Sequence, residues 1–379
     1  MKRAYAFIML SAAGVACFAS IDVVYFQTLG YTLAFIGVMT AAFNLAVAAA
    51  ELPFAILFDR YSNKLALQLG NALRIVAFTL FFINLSEPTL LLAQVLAGVA
   101  VAAMSGTSNA LVVNQIQALE ANRIAAAFGR IAYLSASAAI LGGTAGIAIF
   151  AVWPQGIWLA AIAFFLAAAV VIATFRDIRA EIERVPMRTF LRQALGTACA
   201  PHAWMLVVTN AAAVAPFLLW QIKFDQVSLL FLAFGYLGMN VANIIGPVLR
   251  EVLRVQVHHI AIIATLNIAA VVIFAVAAGE IAIWVSFVAH VALHCVLQIL
   301  VSGLFHESVG NSVRATAGSV ISMADSLIVA VVAPVVAIVG QTLGLGWGVA
   351  VSAVLYLLVA AGGLRRGIRH RASSETEVA

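Results

Sequence analysis

Charged residues are scarce in this sequence. Only 9% of its 379 residues are Asp, Glu, Lys or Arg, whereas 65% are hydrophobic and the mean hydropathy is +1.11. Soluble domains carry about 25% charged residues, so this composition excludes a water-soluble protein. The apolar runs also lack the alternation of polar and apolar positions that a transmembrane β-barrel requires, which excludes that class.

Other missing features narrow the function. The three cysteines, Cys17, Cys199 and Cys295, lie in different segments, so we expect neither a disulfide framework nor a metal site. The nucleotide-binding pattern Gly-x-x-x-x-Gly-Lys-Ser/Thr does not occur, which argues against built-in ATP coupling. We expect no cofactor and, since no convergent nucleophile or metal cluster is visible, no enzymatic activity.

Instead, the sequence contains twelve apolar runs of membrane-spanning length, which predict an all-α integral membrane protein. We number them spans 1 to 12, near residues 4–28, 33–58, 65–85, 89–115, 125–150, 156–175, 203–223, 228–249, 258–278, 281–304, 316–340 and 345–364. Lys2 and Arg3 before the first run are compatible with a signal peptide, but the eleven further runs favour an uncleaved span.

The basic residues report the topology. With a cytoplasmic N-terminus, 18 of the 20 Lys and Arg residues fall in cytoplasmic segments, as the positive-inside rule requires. Only Arg74 and Lys223 lie within spans. We therefore expect both termini in the cytoplasm, and the net charge of +5 needs no nucleic-acid partner.

A long charged stretch, Arg176 to Arg192, divides the spans into two sets of six. A weak internal repeat supports this division, because Pro53 and Pro247, near the ends of spans 2 and 8, are 194 residues apart. Parallel six-helix halves are a known transporter architecture. We predict four regions: an N-terminal bundle (1–175), a cytoplasmic linker (176–202), a C-terminal bundle (203–364) and a basic tail (365–379).

The segment between spans 2 and 3 reads Glu51-Leu-Pro-Phe-Ala-Ile-Leu-Phe-Asp59-Arg60-Tyr-Ser-Asn-Lys64. It resembles the loop signature of the major facilitator superfamily (MFS), G-x-L-A-D-R-x-G-R-K, in a variant preceded by E-L-P that resembles bacterial drug-efflux members. Asp59, Arg60 and Lys64 match, whereas both glycines are replaced. The resemblance implies twelve helices in two pseudo-symmetric six-helix bundles that transport a small molecule.

The resemblance also implies a role for this loop. In the family, its carboxylate helps to latch the two halves together on the cytoplasmic side. The corresponding latch would consist of Asp59, Arg60 and Lys64 with Arg130, or alternatively Arg123, as the partner cation. The other interpretation is that these are solvated loop charges that only set the topology.

Ionisable groups inside the membrane cost at least about 2.5–3.5 kcal/mol and are therefore candidates for function. Glu51 and Arg74 lie about 12 and 13 Å from the cytoplasmic ends of spans 2 and 3. Their equal depth predicts a buried ion pair. We interpret the pair as structural, with a direct role in substrate or proton binding as the alternative.

His290 and His294 are four residues apart and share one face of span 10. Asp325 in span 11 and His294 lie at similar depths, about 14 and 16 Å. Histidine changes its charge near neutral pH and responds to a neighbouring carboxylate, so we predict that these three residues carry protons. In the family, spans 1, 4, 7 and 10 line the central cavity. The alternative is that both histidines are hydrogen-bonded packing residues.

Six further residues are candidates for contacting the substrate: Asp22, Tyr25, Asn109, Asn210, Trp220 and Gln221. Those near the outer ends of spans 1 and 7 suit a gate or the recognition of a cation. The two asparagines lie on helices that line the cavity in the family. The alternatives are membrane-interface anchoring for the aromatic residues and helix–helix contacts for the amides.

Together these features predict a secondary active transporter that works by alternating access in the lipid bilayer. We expect proton-coupled export of a small organic molecule, drug-like or amphipathic, by a monomer in a bacterial plasma membrane. Another coupling cation and a proton-linked importer or facilitator of a metabolite remain alternatives. A third reading, with less support, is a non-transporting receptor or enzyme on the same scaffold.

Overall fold

The structure, a computed structural model, describes residues 2–58, 63–105, 124–175, 196, 202–309 and 314–378. Within these ranges, twelve segments are helical, long and apolar enough to cross a membrane, one for each predicted span. Helices suit this setting because each one satisfies its own backbone hydrogen bonds where no water is available.

The first six spans are formed by the helices Lys2–Ala19 with Asp22–Thr28, Leu33–Phe58, Asn63–Ile83, Glu87–Met104, Ile124–Val152 and Gly156–Ala173. The last six are formed by Ala203–Asp225, Leu229–Val252, Ile260–Val276, Glu280–Ser308, Arg314–Thr342 and Leu345–Val378. A short 3-10 helix, Val257–His259, leads into span 9.

The chain divides into two compact units. The first comprises Met1–Tyr31 and Val38–Arg184, and the second comprises Thr32–Gly37 and Val185–Ala379. In the first unit, span 1 packs against spans 5 and 6, and span 3 packs against spans 4 and 6. In the second unit, span 7 packs against spans 11 and 12, and span 9 packs against spans 10 and 12. Adding six to each span number converts the first pattern into the second, so the units are pseudo-symmetric bundles.

Small residues allow the helices within each unit to approach closely. A Cβ atom at Gly146 in span 5 would collide with the carbonyl oxygen of Cys17 in span 1. In span 4, a Cβ at Gly98 would collide with the carbonyl oxygen of Phe43 in span 2. In the second unit, a Cβ at Gly246 in span 8 would lie 2.6 Å from the Cβ of Cys295 in span 10.

Aromatic side chains fill the interior of each unit. In the first unit, the fully buried Trp158 of span 6 stacks on Phe78 and Phe81 of span 3, with ring centroids 5.7 and 4.8 Å apart. In the second unit, Trp220 of span 7 stacks on Phe287 of span 10 with centroids 5.6 Å apart. Such pairs contribute about 0.5–1.5 kcal/mol beyond the burial of their area.

Three boundaries differ from the sequence-based prediction. Span 1 is interrupted after Ala19, where the Ser20 hydroxyl donates to the carbonyl oxygen of Gly143 at 3.1 Å. The described helix of span 4 ends at Met104, and residues 106–123 lie outside the described part of the chain. The last helix continues to Val378, so the predicted tail is helical up to that residue.

We expect Gly146→Ala to destabilise the protein, because the added methyl group forces spans 1 and 5 apart. Overpacking of this kind typically costs about 1–3 kcal/mol. Gly129→Ala, in the same helix but with open space around its Cβ position, is the matched control. It should be neutral or stabilising by up to about 1 kcal/mol, since alanine is the better helix former. Thermal unfolding in detergent measures both variants, and equal midpoints would contradict the close packing.

Candidate functional site

A carboxylate–amide pair joins spans 7 and 11 in the second unit. The Asn210 Nδ2 donates to the Asp325 Oδ2 at 2.5 Å. The other carboxylate oxygen, Oδ1, is buried and has no hydrogen-bond partner. No described cation forms an ion pair with Asp325. The pair therefore combines a half-buried ionisable group with a neutral partner, and no charge among the described residues compensates a deprotonated Asp325.

A second polar group, here called the histidine cluster, consists of Asn267, His290, His294 and Tyr356 from spans 9, 10 and 12. The His290 Nδ1 lies 2.8 Å from the Asn267 Oδ1, and the His294 Nδ1 lies 2.9 Å from the Tyr356 hydroxyl. Because an amide oxygen only accepts, the His290 Nδ1 carries the hydrogen of this bond. His290 is fully buried and its Nε2 has no partner, whereas His294 is partly exposed.

The structure does not join Asp325 to the histidines, contrary to the sequence-based prediction. Phe217 of span 7 contacts both imidazole rings, with centroids 6.0 and 6.1 Å away. Asn210, the partner of Asp325, precedes Phe217 by seven residues, which is about 10 Å along the helix. Span 10 extends to Ser308, so the depth of His294 counted from Phe305 was too small.

The predicted ion pair between Glu51 and Arg74 is also not formed. The Ser105 hydroxyl of span 4 donates to the Glu51 Oε1 at 2.8 Å. The guanidinium of Arg74 lies over the ring of Phe165 in span 6, with its central carbon 5.4 Å from the ring centroid. Equal depth was insufficient because the two side chains leave their helices toward different neighbours.

The two candidates in span 1 differ in accessibility. Asp22 begins the short second helix of the span, is half-buried, and accepts a hydrogen bond from the backbone N–H of Val23 at 2.9 Å. Tyr25 is fully buried, and its ring lies edge-on to Trp158 with centroids 5.3 Å apart. Tyr25 is thus a packing residue in this conformation, whereas Asp22 keeps a partly open position.

The candidates in span 7 are mostly buried. Trp220 and Gln221 are each 2% exposed, and Trp220 belongs to the aromatic core of the second unit. About three turns earlier in the same helix, Asn210 binds Asp325. Asn109 lies outside the described residues. Asn210 is a substrate candidate that the structure joins to another predicted site residue, Asp325.

The predicted cytoplasmic latch is described only in part. Asp59 and Arg60 lie outside the described residues. The Lys64 Nζ donates to the carbonyl oxygens of Ala173 and Phe175 at 2.8 and 2.9 Å. These carbonyls end the helix of span 6, where a cation is favoured by the helix dipole. Lys64 therefore ties spans 3 and 6 together within its own unit, and Arg130 is exposed near the start of span 5.

Sequence reasoning missed three residues that complete these groups: Ser105, Asn267 and Tyr356. Asn267 is an amide near the middle of span 9, but its place in the sequence gives no indication that it faces a histidine. A search for polar residues at matching depth on spans 9 and 12 would have found Asn267 and Tyr356. Among the described residues, no group of three or more His, Cys, Asp or Glu side chains is arranged to hold a metal ion.

Comparison with known proteins decides the family. The family model described as Major Facilitator Superfamily matches residues 4–286 of this chain. The chain belongs to the Major Facilitator Superfamily. As a member of the MFS it is a secondary transporter and not an enzyme. A search of curated proteins finds no match.

Solved MFS structures share the fold. The chain is similar to the nucleoside transporter NupG, solved as a single-residue mutant, with a TM-score of 0.80 and 12% identity over 96% of this chain and 98% of that chain. It is similar to a POT family transporter in complex with 5-aminolevulinic acid, with a TM-score of 0.75 and 10% identity over 97% and 96%. It is also similar to the human organic anion transporter MFSD10 (TETRAN), with a TM-score of 0.66 and 12% identity over 95% of this chain and 97% of that chain. At these identities the likeness shows the MFS fold alone.

We expect Asn267→Ala to destabilise this MFS protein, because the variant leaves the buried Nδ1–H of His290 without an acceptor. Such a loss costs about 1–3 kcal/mol. Asn240→Ala is the matched control, since the Asn240 amide donates only to Tyr236 of its own helix and is partly buried. It should change the stability by about 0.5 kcal/mol or less. Thermal unfolding midpoints that fall equally in both variants would contradict the proposed role of Asn267.

Proposed function

We propose that this MFS transporter exports a small organic molecule, amphipathic or cationic, in exchange for protons across a bacterial plasma membrane. The observation that carries the proposal is the half-buried Asp325, whose carboxylate Oδ2 accepts from Asn210 and whose Oδ1 is buried and without a hydrogen-bond partner among the described residues. Three other features support the proposal. The histidine cluster supports proton coupling, Asp22 supports the substrate class, and the E-L-P segment supports the direction of transport.

The free-energy cost of a negative charge on Asp325 inside the bundle supports proton coupling. An unpaired carboxylate is expensive in a low-dielectric interior, whereas a neutral carboxylic acid is not. A proton on Asp325 removes that cost, and access of water to the site would favour its release. Asn210 binds the carboxylate without neutralising it, so the group stays free to titrate. A structural carboxylate would be expected beside a Lys or Arg instead.

The histidines remain proton candidates in this proposal. His294 is partly exposed and bonded to Tyr356, while His290 is buried between Asn267 and the aromatic rings around it. A histidine that changes its charge during the cycle needs contact with water, which favours His294 over His290. We therefore assign the coupling proton to Asp325 and treat His294 as a second group that moves protons.

The substrate class and direction rest on weaker support. Few fixed charges lie within the described spans, which favours a largely apolar molecule, and the half-buried Asp22 offers a carboxylate to a cation. The loop beginning at Glu51 resembles that of bacterial drug-efflux members, which favours export. The substrates of the solved MFS structures do not carry over, because the identities are 10–12%.

We expect purified protein in liposomes with an acidic interior to accumulate ethidium, an amphipathic cation, by exchange for protons. One pH unit is worth about 1.4 kcal/mol per proton, or about tenfold accumulation. Asp325→Asn should abolish the accumulation while exchange of ethidium at equal pH continues, and His294→Ala should reduce it. Glu280→Gln, which removes an exposed carboxylate, is the control. Full accumulation by Asp325→Asn would remove this carboxylate from the mechanism.

We also expect cells that produce the transporter to grow at higher ethidium concentrations than cells that produce Asp325→Asn at the same level. The reason is that export without proton drive cannot hold the internal concentration down. Growth inhibition and immunodetection of the membrane fraction measure the two quantities. Greater sensitivity with the wild-type protein would indicate import instead, and accumulation driven only by an acidic exterior would support that conclusion.

A further inference from the structure

We propose that Glu51 in span 2 is a second proton-binding carboxylate, so that each six-helix unit carries one such group. This inference deepens the proposed proton coupling and rests on it for its role in transport. Glu51 is 7% exposed and lies within the first unit, whereas Asp325 lies within the second. Its partner is the Ser105 hydroxyl at 2.8 Å.

Among the charged residues that the structure describes, none neutralises Glu51. The cations of the neighbouring span 3 are both engaged elsewhere: Lys64 binds carbonyl oxygens at the end of span 6, and Arg74 lies over Phe165. The acidic residue of span 4, Glu87, begins that helix at the opposite end from Ser105. Among the described residues, Glu51 forms no ion pair. A deprotonated Glu51 is therefore an uncompensated charge, as Asp325 is.

The chemistry of the partner permits both protonation states. A serine hydroxyl can donate to a carboxylate, and it can accept from a carboxylic acid. Glu51 can therefore gain or lose a proton without losing its hydrogen bond to Ser105. A lysine or arginine partner would allow only the charged form. Ser105 itself is exposed while Glu51 is buried, so its hydroxyl offers the carboxylate a route toward the protein surface.

The surrounding backbone can respond to the proton. Pro53, two residues after Glu51, lies inside the helix of span 2 and removes one backbone hydrogen bond there. Ser105 follows the last helical residue of span 4 and has a non-helical ψ of 134°. The bond between Glu51 and Ser105 thus joins two helices where each is locally weakened, and a change of charge there alters both.

Infrared difference spectroscopy of the purified protein tests the proposal without any substrate. Titration from about pH 5 to about pH 8 should reveal carboxylic acid C=O stretching bands, because protonation converts a carboxylate into an acid. Glu51→Gln should remove one band, and Asp325→Asn should remove another. Glu87→Gln, which removes an exposed carboxylate of span 4, should leave both bands in place.

A spectrum of Glu51→Gln identical to that of the wild type overturns the proposal. If Glu51→Gln does not fold, Ser105→Ala serves as the test variant. Loss of its hydrogen bond to Glu51 should shift the frequency of one titrating band. A spectrum without that shift also overturns the proposal. An unchanged spectrum of Asp325→Asn, together with loss of a band in Glu51→Gln, contradicts the proposed coupling site alone. In liposomes, Glu51→Gln should lower the number of protons released per ethidium taken up.

Discussion

Polar groups inside these bundles depend on partners within the protein, because the hydrocarbon core of a membrane offers none. Each of the three prominent pairs solves this constraint with a neutral partner: Asp325 with Asn210, His290 with Asn267, and Glu51 with Ser105. Ion pairs would have satisfied the carboxylates more completely, but they would also have fixed them in the charged form. Neutral partners leave the proton itself as the means of balancing the charge.

The architecture could be predicted from the sequence because each span is a local property. Hydropathy located the twelve spans, and the loop from Glu51 to Lys64 indicated the family that the match over residues 4–286 confirms. The interruption of span 1 could not be predicted, since Ser20 and Ile21 resemble ordinary helical residues. The break depends on a hydrogen bond to Gly143, which lies more than a hundred residues away.

The side-chain partners could be predicted only in part. Depth along a helix follows from residue counting, but the direction around the helix axis depends on packing against neighbours that the sequence does not identify. Glu51 and Arg74 have similar depths and still face different helices. Asp325 and Asn210 were each singled out for their chemistry, yet nothing in the sequence linked spans 7 and 11. The sequence shows an amide at Asn267, but it does not show that this amide accepts a hydrogen bond from His290.

Protonation inside a bundle has an electrical consequence. In the proposed cycle, loss of a proton from Asp325 lowers the net charge of its bundle by one elementary unit. A charge that moves through the field of an energised membrane gains or loses up to about 2.3 kcal/mol per 100 mV. The equilibrium between conformations would then depend on the membrane potential as well as on acidity. The protonation of one side chain would thereby link the transporter's conformation to the cell's voltage.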